Sequence, residues 1–155
     1  MSNYENAMNI MAERFSKDSL IAVATTDGER MHNRMVDALF VDGAFYSITY
    51  ASSNKMKQIE SNPEVAVCAV DWFTAHGTAR NLGWVLNPEN AEIRTKLREA
   101  FKWYDHANNE QDKNCCFLEI RLTDGMLIKD HHAIRYQIDF TEKSALLSEN
   151  WGEFK

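Results

Sequence analysis

Residues 45–63 read FYSITYASSNKMKQIESNP, and the fold turns on how this stretch divides. Its first six residues alternate, with Phe45, Ser47 and Thr49 on one face and Tyr46, Ile48 and Tyr50 on the other. That is the period of a strand. A small polar segment follows, Ala51-Ser52-Ser53-Asn54, and then Met56 and Ile59 stand three apart in a short helical pattern. Asn62-Pro63 ends that helix, because proline disfavours helical geometry in the residue before it. Ser52 or Ser53 can cap the helix, and Lys55 lies in its first turn. A lysine there works against the helix dipole, whose N-terminal end already carries partial positive charge. Free N–H groups, hydroxyls and an ammonium at one helix start suit a phosphate. The plainer alternative is a capped helix with a solvated lysine.

Upstream, Leu20 to Thr26 (LIAVATT) and Met31 to Val41 (MHNRMVDALFV) are apolar runs followed by Asp27-Gly28 and Asp42-Gly43 respectively. Asp-Gly between strand-like runs is a hairpin signal, so residues 20–50 predict an antiparallel meander. Before it, Met8, Met11, Ala12 and Phe15 predict an amphipathic helix over residues 4–16. Downstream, residues 64–71 and 74–85 read as strands, with Gly77 and Gly83 marking a bulge or a close approach. Asn87-Pro88 starts a helix whose apolar face is Ile93, Leu97, Ala100, Phe101 and Tyr104. Residues 115–129 predict a strand interrupted at Asp124-Gly125, residues 133–140 another, and residues 141–155 an irregular end. The expectation is a mainly β single domain over residues 1–155. Six or seven antiparallel strands form a small barrel with about three flanking helices.

Composition narrows the function classes. Seventeen basic against 23 acidic residues give a net charge of −6. This argues against a general nucleic-acid or anionic-membrane binder, though not against one local anion site. No apolar run approaches the roughly 18 residues of a membrane span. The opening MSNYENAMNIMAERF lacks the basic start and long apolar middle of a secretory signal. Cys68, Cys115 and Cys116 show no disulfide or zinc-type spacing, so reduced thiols in a cytoplasmic protein are expected. Cys115-Cys116 at a strand start predicts one buried and one exposed thiol. The five histidines form no metal-binding pattern, and no nucleophile elbow, Walker loop or dinucleotide fingerprint is present. Arg34 lies on the strand that precedes the opening stretch. Arg34, Thr49 and Lys55 are therefore candidates to converge as guanidinium, hydroxyl and ammonium on one phosphate.

The run ATTDGERMHNRMVDALFVDGAFYSITYASSNKMKQIESNPEVAV, followed by HGTARNL, resembles the FMN-binding split-barrel proteins related to pyridoxamine 5′-phosphate oxidase, in their general-stress-protein branch. The likeness lies in order and spacing: an arginine strand, Ile48-Thr49 ending the next, Ser53-Asn54-Lys55 opening a helix, and Asn62-Pro63 closing it. It covers about Leu20 to Val85. The resemblance implies a homodimer with FMN at the subunit interface and a small-molecule substrate. Arg34, Met35 and Val36 would then line the flavin edge and phosphate side, and Ile48 and Thr49 would touch ring and phosphate. Ser53, Asn54 and Lys55 would hold the phosphate, and Trp151 resembles a late tryptophan placed near the partner's flavin. Asp37, an acidic residue beside the implied flavin edge, departs from the pattern. The residues with which the oxidases grip pyridoxal phosphate have no counterpart. The implied activity is a flavin-dependent oxidoreductase with no catalytic residue assigned. The alternatives are a non-catalytic flavin-binding stress protein, or a barrel using a deazaflavin, or haem through His131 or His132.

Overall fold

The structure is a computed structural model that describes residues 1–130 and 134–149. Helix α1 (Asn3–Phe15) leads into strands β1 (Ser19–Thr26), β2 (Met31–Val41) and β3 (Ala44–Tyr50). Helix α2 (Asn54–Ser61) is followed by β4 (Glu64–Ala69) and β5 (Phe73–Trp84). A 3-10 turn (Pro88–Asn90) opens α3 (Ala91–Ala100), and a short α4 (Tyr104–Ala107) precedes β6 (Cys115–Ile128), β7 (Arg135–Asp139) and β8 (Ser144–Ser148).

All pairings are antiparallel, in the order β3-β2-β1-β4-β5-β6-β7-β8, and β3 also pairs with β6. That extra pairing closes six strands into a barrel and leaves β7 and β8 as an extension. The expected mainly β antiparallel barrel is present: six strands close it, and β7 and β8 are two further strands among the described residues. Strand β8 lies where an irregular end was expected, because its alternation is weak: Leu146 and Leu147 are both exposed.

Three local details follow from chemistry legible in the sequence. Asp42 and Gly43 both take positive φ, 47° and 81°, as a tight primed hairpin turn requires. Register shifts occur between His76 and Gly77 and between Asn81 and Trp84, near the two glycines of β5. An added Cβ at Gly77 would lie 2.8 Å from Ile120 Cγ2 and 2.9 Å from the Arg121 carbonyl, so the bare backbone is needed there. Gly125, in contrast, does not interrupt β6. The strand stays continuous while its edge partner changes from β3, up to Arg121, to β7, from Asp124. The glycine serves close packing against the Thr74 carbonyl and Ala75.

Two apolar clusters organise the molecule. Inside the barrel, Ile21, Val23, Phe40, Phe45, Phe73, Leu118 and Ile120 pack with Met11 and Phe15 of α1 and Met56 and Ile59 of α2. Outside, Leu97, Phe101 and Tyr104 cover Leu39, Ile48 and Phe117. The helix expected from Pro88 onward is broken at Phe101, yet its apolar face is buried as expected. The two clusters also explain the adjacent cysteines. Cys116 points into the barrel and Cys115 into the outer cluster, so both are buried, while Cys68 is the exposed thiol. No helix among the described residues is long and apolar enough to cross a membrane.

Candidate functional site

Strands β2 and β3 pair only at Leu39–Tyr46, Phe40–Phe45 and Val41–Ala44. Beyond that point β2 stays on β1 and β3 stays on β6, so the two diverge. Arg34 and Thr49 lie on the diverging parts, opposite Val23 and Cys116 respectively. Helix α2 follows β3 directly and seats Met56 and Ile59 in the barrel core, which brings its first turn to the opening.

Lys55 Nζ donates to Thr49 Oγ1 at 2.6 Å. Arg34 Nη1 donates to Thr25 Oγ1 at 2.7 Å and to the Val23 carbonyl at 3.1 Å. Thr25, which is buried, reaches Gln58 Oε1 at 2.5 Å. Gln58 stands one helical turn beyond Lys55, so it shares the lysine's side of α2. Thr25 and Gln58 were not singled out from the sequence. The available signal was phase, since Thr25 continues the inward positions Ile21 and Val23.

Electrostatically the site is unfinished. Burial lowers the pKa of Arg34. Burial, and then the charge of Arg34, lower that of Lys55. The two cations therefore feel one another, and neither pairs with a carboxylate among the described residues. Ser53 is the N-cap residue of α2, but its side chain makes no capping bond. Its Oγ is buried without a partner. The N–H groups of Asn54, Lys55 and Met56 likewise meet no acceptor among the described residues. Orphaned donors, a buried hydroxyl and two desolvated cations on one side of an opening fit a dianionic oxyanion.

The remaining candidates are distributed around this cradle. Met35 faces outward and is 55% exposed, Val36 packs inward against the barrel core, and Asn54 is exposed at the helix start. Ile48 lies on the opposite side of β3 from Thr49, in the outer cluster. Trp151, His131 and His132 lie outside the described residues.

No protein-family model matches this chain, and no curated protein does. Solved structures do. General Stress Protein 26 from Bacillus anthracis is 15% identical with a TM-score of 0.62, over 86% of this chain and 99% of that one. A pyridoxamine 5′-phosphate oxidase-related, FMN-binding protein from Nostoc punctiforme is 14% identical with a TM-score of 0.60, over 97% and 98%. A haem-binding protein from Mycobacterium smegmatis is 13% identical with a TM-score of 0.66, over 92% and 60%. Other chains of this shape are described as an FAD-binding protein and an F420 reductase. The shared property is the split-barrel fold. The structures that share it include FMN-binding, FAD-binding and haem-binding proteins and an F420 reductase.

Proposed function

We propose that this chain is an FMN-binding flavoprotein. It works as a homodimer with the flavin at the subunit interface and acts as an oxidoreductase on a small substrate. One observation carries the reading: Arg34 and Lys55 are held together, partly desolvated, without a carboxylate. Two like charges removed from water oppose folding unless something offsets them. A phosphate monoester, with a charge near −2 and three free oxygens, offsets both. FMN ends in such a group. FAD presents its phosphates in mid-molecule and suits a closed cradle less well.

Arg34, Thr49 and Lys55 would hold the phosphate, with the Ser53 hydroxyl and the free N–H groups of α2 completing its shell. The edge of β2 that β3 leaves unpaired, with the outward side chain of Met35, offers backbone polar groups and apolar surface for a flat ring. Bound there, the flavin would supply electron transfer, while the chain supplies binding, orientation and exclusion of water.

The second copy is argued from the surface. Leu20, Met31 and Met35 are exposed on the outer face of β1 and β2, and Val70 and Trp72 are exposed in the β4–β5 turn. A cluster of large apolar side chains on one face marks an interaction surface. The three free thiols support a cytoplasmic setting.

The test is titration of the purified apoprotein with FMN, riboflavin, FAD and haem, read by absorbance and flavin fluorescence. FMN should bind tightest, and riboflavin, which lacks the phosphate, far more weakly. Riboflavin binding as tightly as FMN would sink the cradle assignment. Bleaching of the bound flavin by NADH or NADPH separates an oxidoreductase from a flavin-binding stress protein.

A further inference from the structure

We propose a second ligand site, independent of the phosphate cradle, in the cleft between the outer face of β3, β6 and β5 and the start of α3. It is built for a small carboxylate that also carries a hydroxyl or amino group. The floor of the cleft is Glu119, whose side chain is only 6% exposed. It stands directly across the sheet from Arg80 on one side and Tyr46 on the other. Arg80 Nε donates to Glu119 Oε1 at 2.9 Å, and the Tyr46 hydroxyl to Oε2 at 3.0 Å. Arg121 Nη2 reaches Glu119 Oε2 at 3.3 Å and the Tyr46 hydroxyl at 3.4 Å.

A buried carboxylate needs one counter-charge, and Glu119 has two guanidiniums and a phenol. A guanidinium has five N–H donors in a rigid fork. Among the described residues Arg80 engages only Nε and Arg121 only Nη2, which leaves the other N–H groups of both forks for a ligand. Both side chains remain open to solvent, 67% and 55% exposed, beside a cavity of about 560 Å³. Glu119 thus acts from beneath as a brace: it holds two forks in place, and a ligand need not order them. Planar forks with parallel N–H groups match a carboxylate.

The facing wall sets the rest of the ligand. Glu89 and Glu92 line the same cavity, with Lys96 Nζ 3.4 Å from Glu92. These carboxylates repel a multiply charged anion and accept O–H or N–H donors. A hydroxy acid or an amino acid satisfies both walls. Lys55, Thr49 and Arg34 are not among the lining residues, so this site can fail while the cradle stands, or the reverse.

The test uses the full chain carrying Lys55→Ala, so that the cradle does not take up the probe. Glycolate, acetate and inorganic phosphate are titrated in turn, read by the NMR shifts of the arginine side-chain N–H groups. Glycolate should saturate and bind more tightly than acetate or phosphate. Arg121→Gln should weaken glycolate by about tenfold or more, and Arg121→Lys, which keeps the charge without the fork, should recover only part of it. Thermal melts verify that each variant is folded. The proposal is overturned by non-saturating shifts, by phosphate binding more tightly than glycolate, or by equal glycolate affinity in a folded Arg121→Gln variant.

Discussion

The lysine at the start of α2 is poorly placed for the helix dipole, and in the proposed function it serves a phosphate instead. Its amine is desolvated and sits in the field of Arg34, so its pKa is lowered from 10.5. In the unfolded chain the lysine keeps its proton to higher pH. Stability therefore rises with pH between the folded value and 10.5, and below the folded value the protein carries the full cost. Lys55→Met should flatten this rise in apoprotein melts, and saturating FMN should flatten it too by restoring the charged form. Lys55→Ala should weaken FMN by about 1.5–3 kcal/mol, the worth of a charge-assisted bond, as read by fluorescence titration. Asp37 provides a contrasting case. Burial, reinforced by the neighbouring Asp18 carboxylate, pushes it up to about 6. A raised acid contributes stability only at low pH and loses it as pH climbs through that value. Asp37→Asn should stabilise the protein at pH 7 relative to pH 4, by no more than about 1 kcal/mol after solvent screening.

At the level of elements, β5 and the β4–β5 turn carry the unusual backbone. Gly77 sits against Ile120 and the Arg121 carbonyl at distances no Cβ tolerates. Gly77→Ala should cost about 1–3 kcal/mol as overpacking, seen as a lower urea midpoint with an unchanged slope. The turn between β4 and β5 places Asp71 and Trp72 at φ 63° and 61°, where bulky residues are rare. Arg14 holds this turn from α1, donating to the Asp71 carbonyl at 2.6 Å and to the Lys129 carbonyl at 2.7 Å. The strain is thus held from outside the hairpin. Much at this scale was legible in the sequence: the Asp42-Gly43 turn, the glycine bulges, the Pro63 stop and the Ile93–Tyr104 face all follow from local chemistry. What local chemistry could not show is the change of partner along β6. Asp124-Gly125 looks like a turn in sequence, and only the presence of β7 on that edge makes it a continuous strand.

For the whole molecule, the closing pair β3–β6 decides the function proposed here. It draws β3 away from β2 and leaves a gap between them, while α2 packs on β1 and β5. The same closure turns one face of β1 and β2 outward, where Met35 stays 55% exposed. Met35→Asp should therefore shift the proposed dimer toward monomer in sedimentation velocity at micromolar concentration, while melts of the monomer remain cooperative. A sedimentation profile identical to that of the parent chain would count against this face as the interface.

The sequence by itself determined the antiparallel meander, a helix start at Ser52 or Ser53 and the grouping of Arg34, Thr49 and Lys55 as candidates. Each of these rests on short-range chemistry: alternation, turn residues, proline and charge near a helix dipole. The tertiary structure alone decided that Arg34 reaches Thr25 while Lys55 reaches Thr49, that Gln58 joins them, and that no carboxylate answers the two cations among the described residues. It alone also brought Arg80, Tyr46 and Arg121 onto the buried Glu119. Contacts between residues as far as 75 positions apart depend on which strands pair and where they part. The closing β3–β6 pair joins strands far apart in sequence, whereas turn chemistry fixes register only within a hairpin.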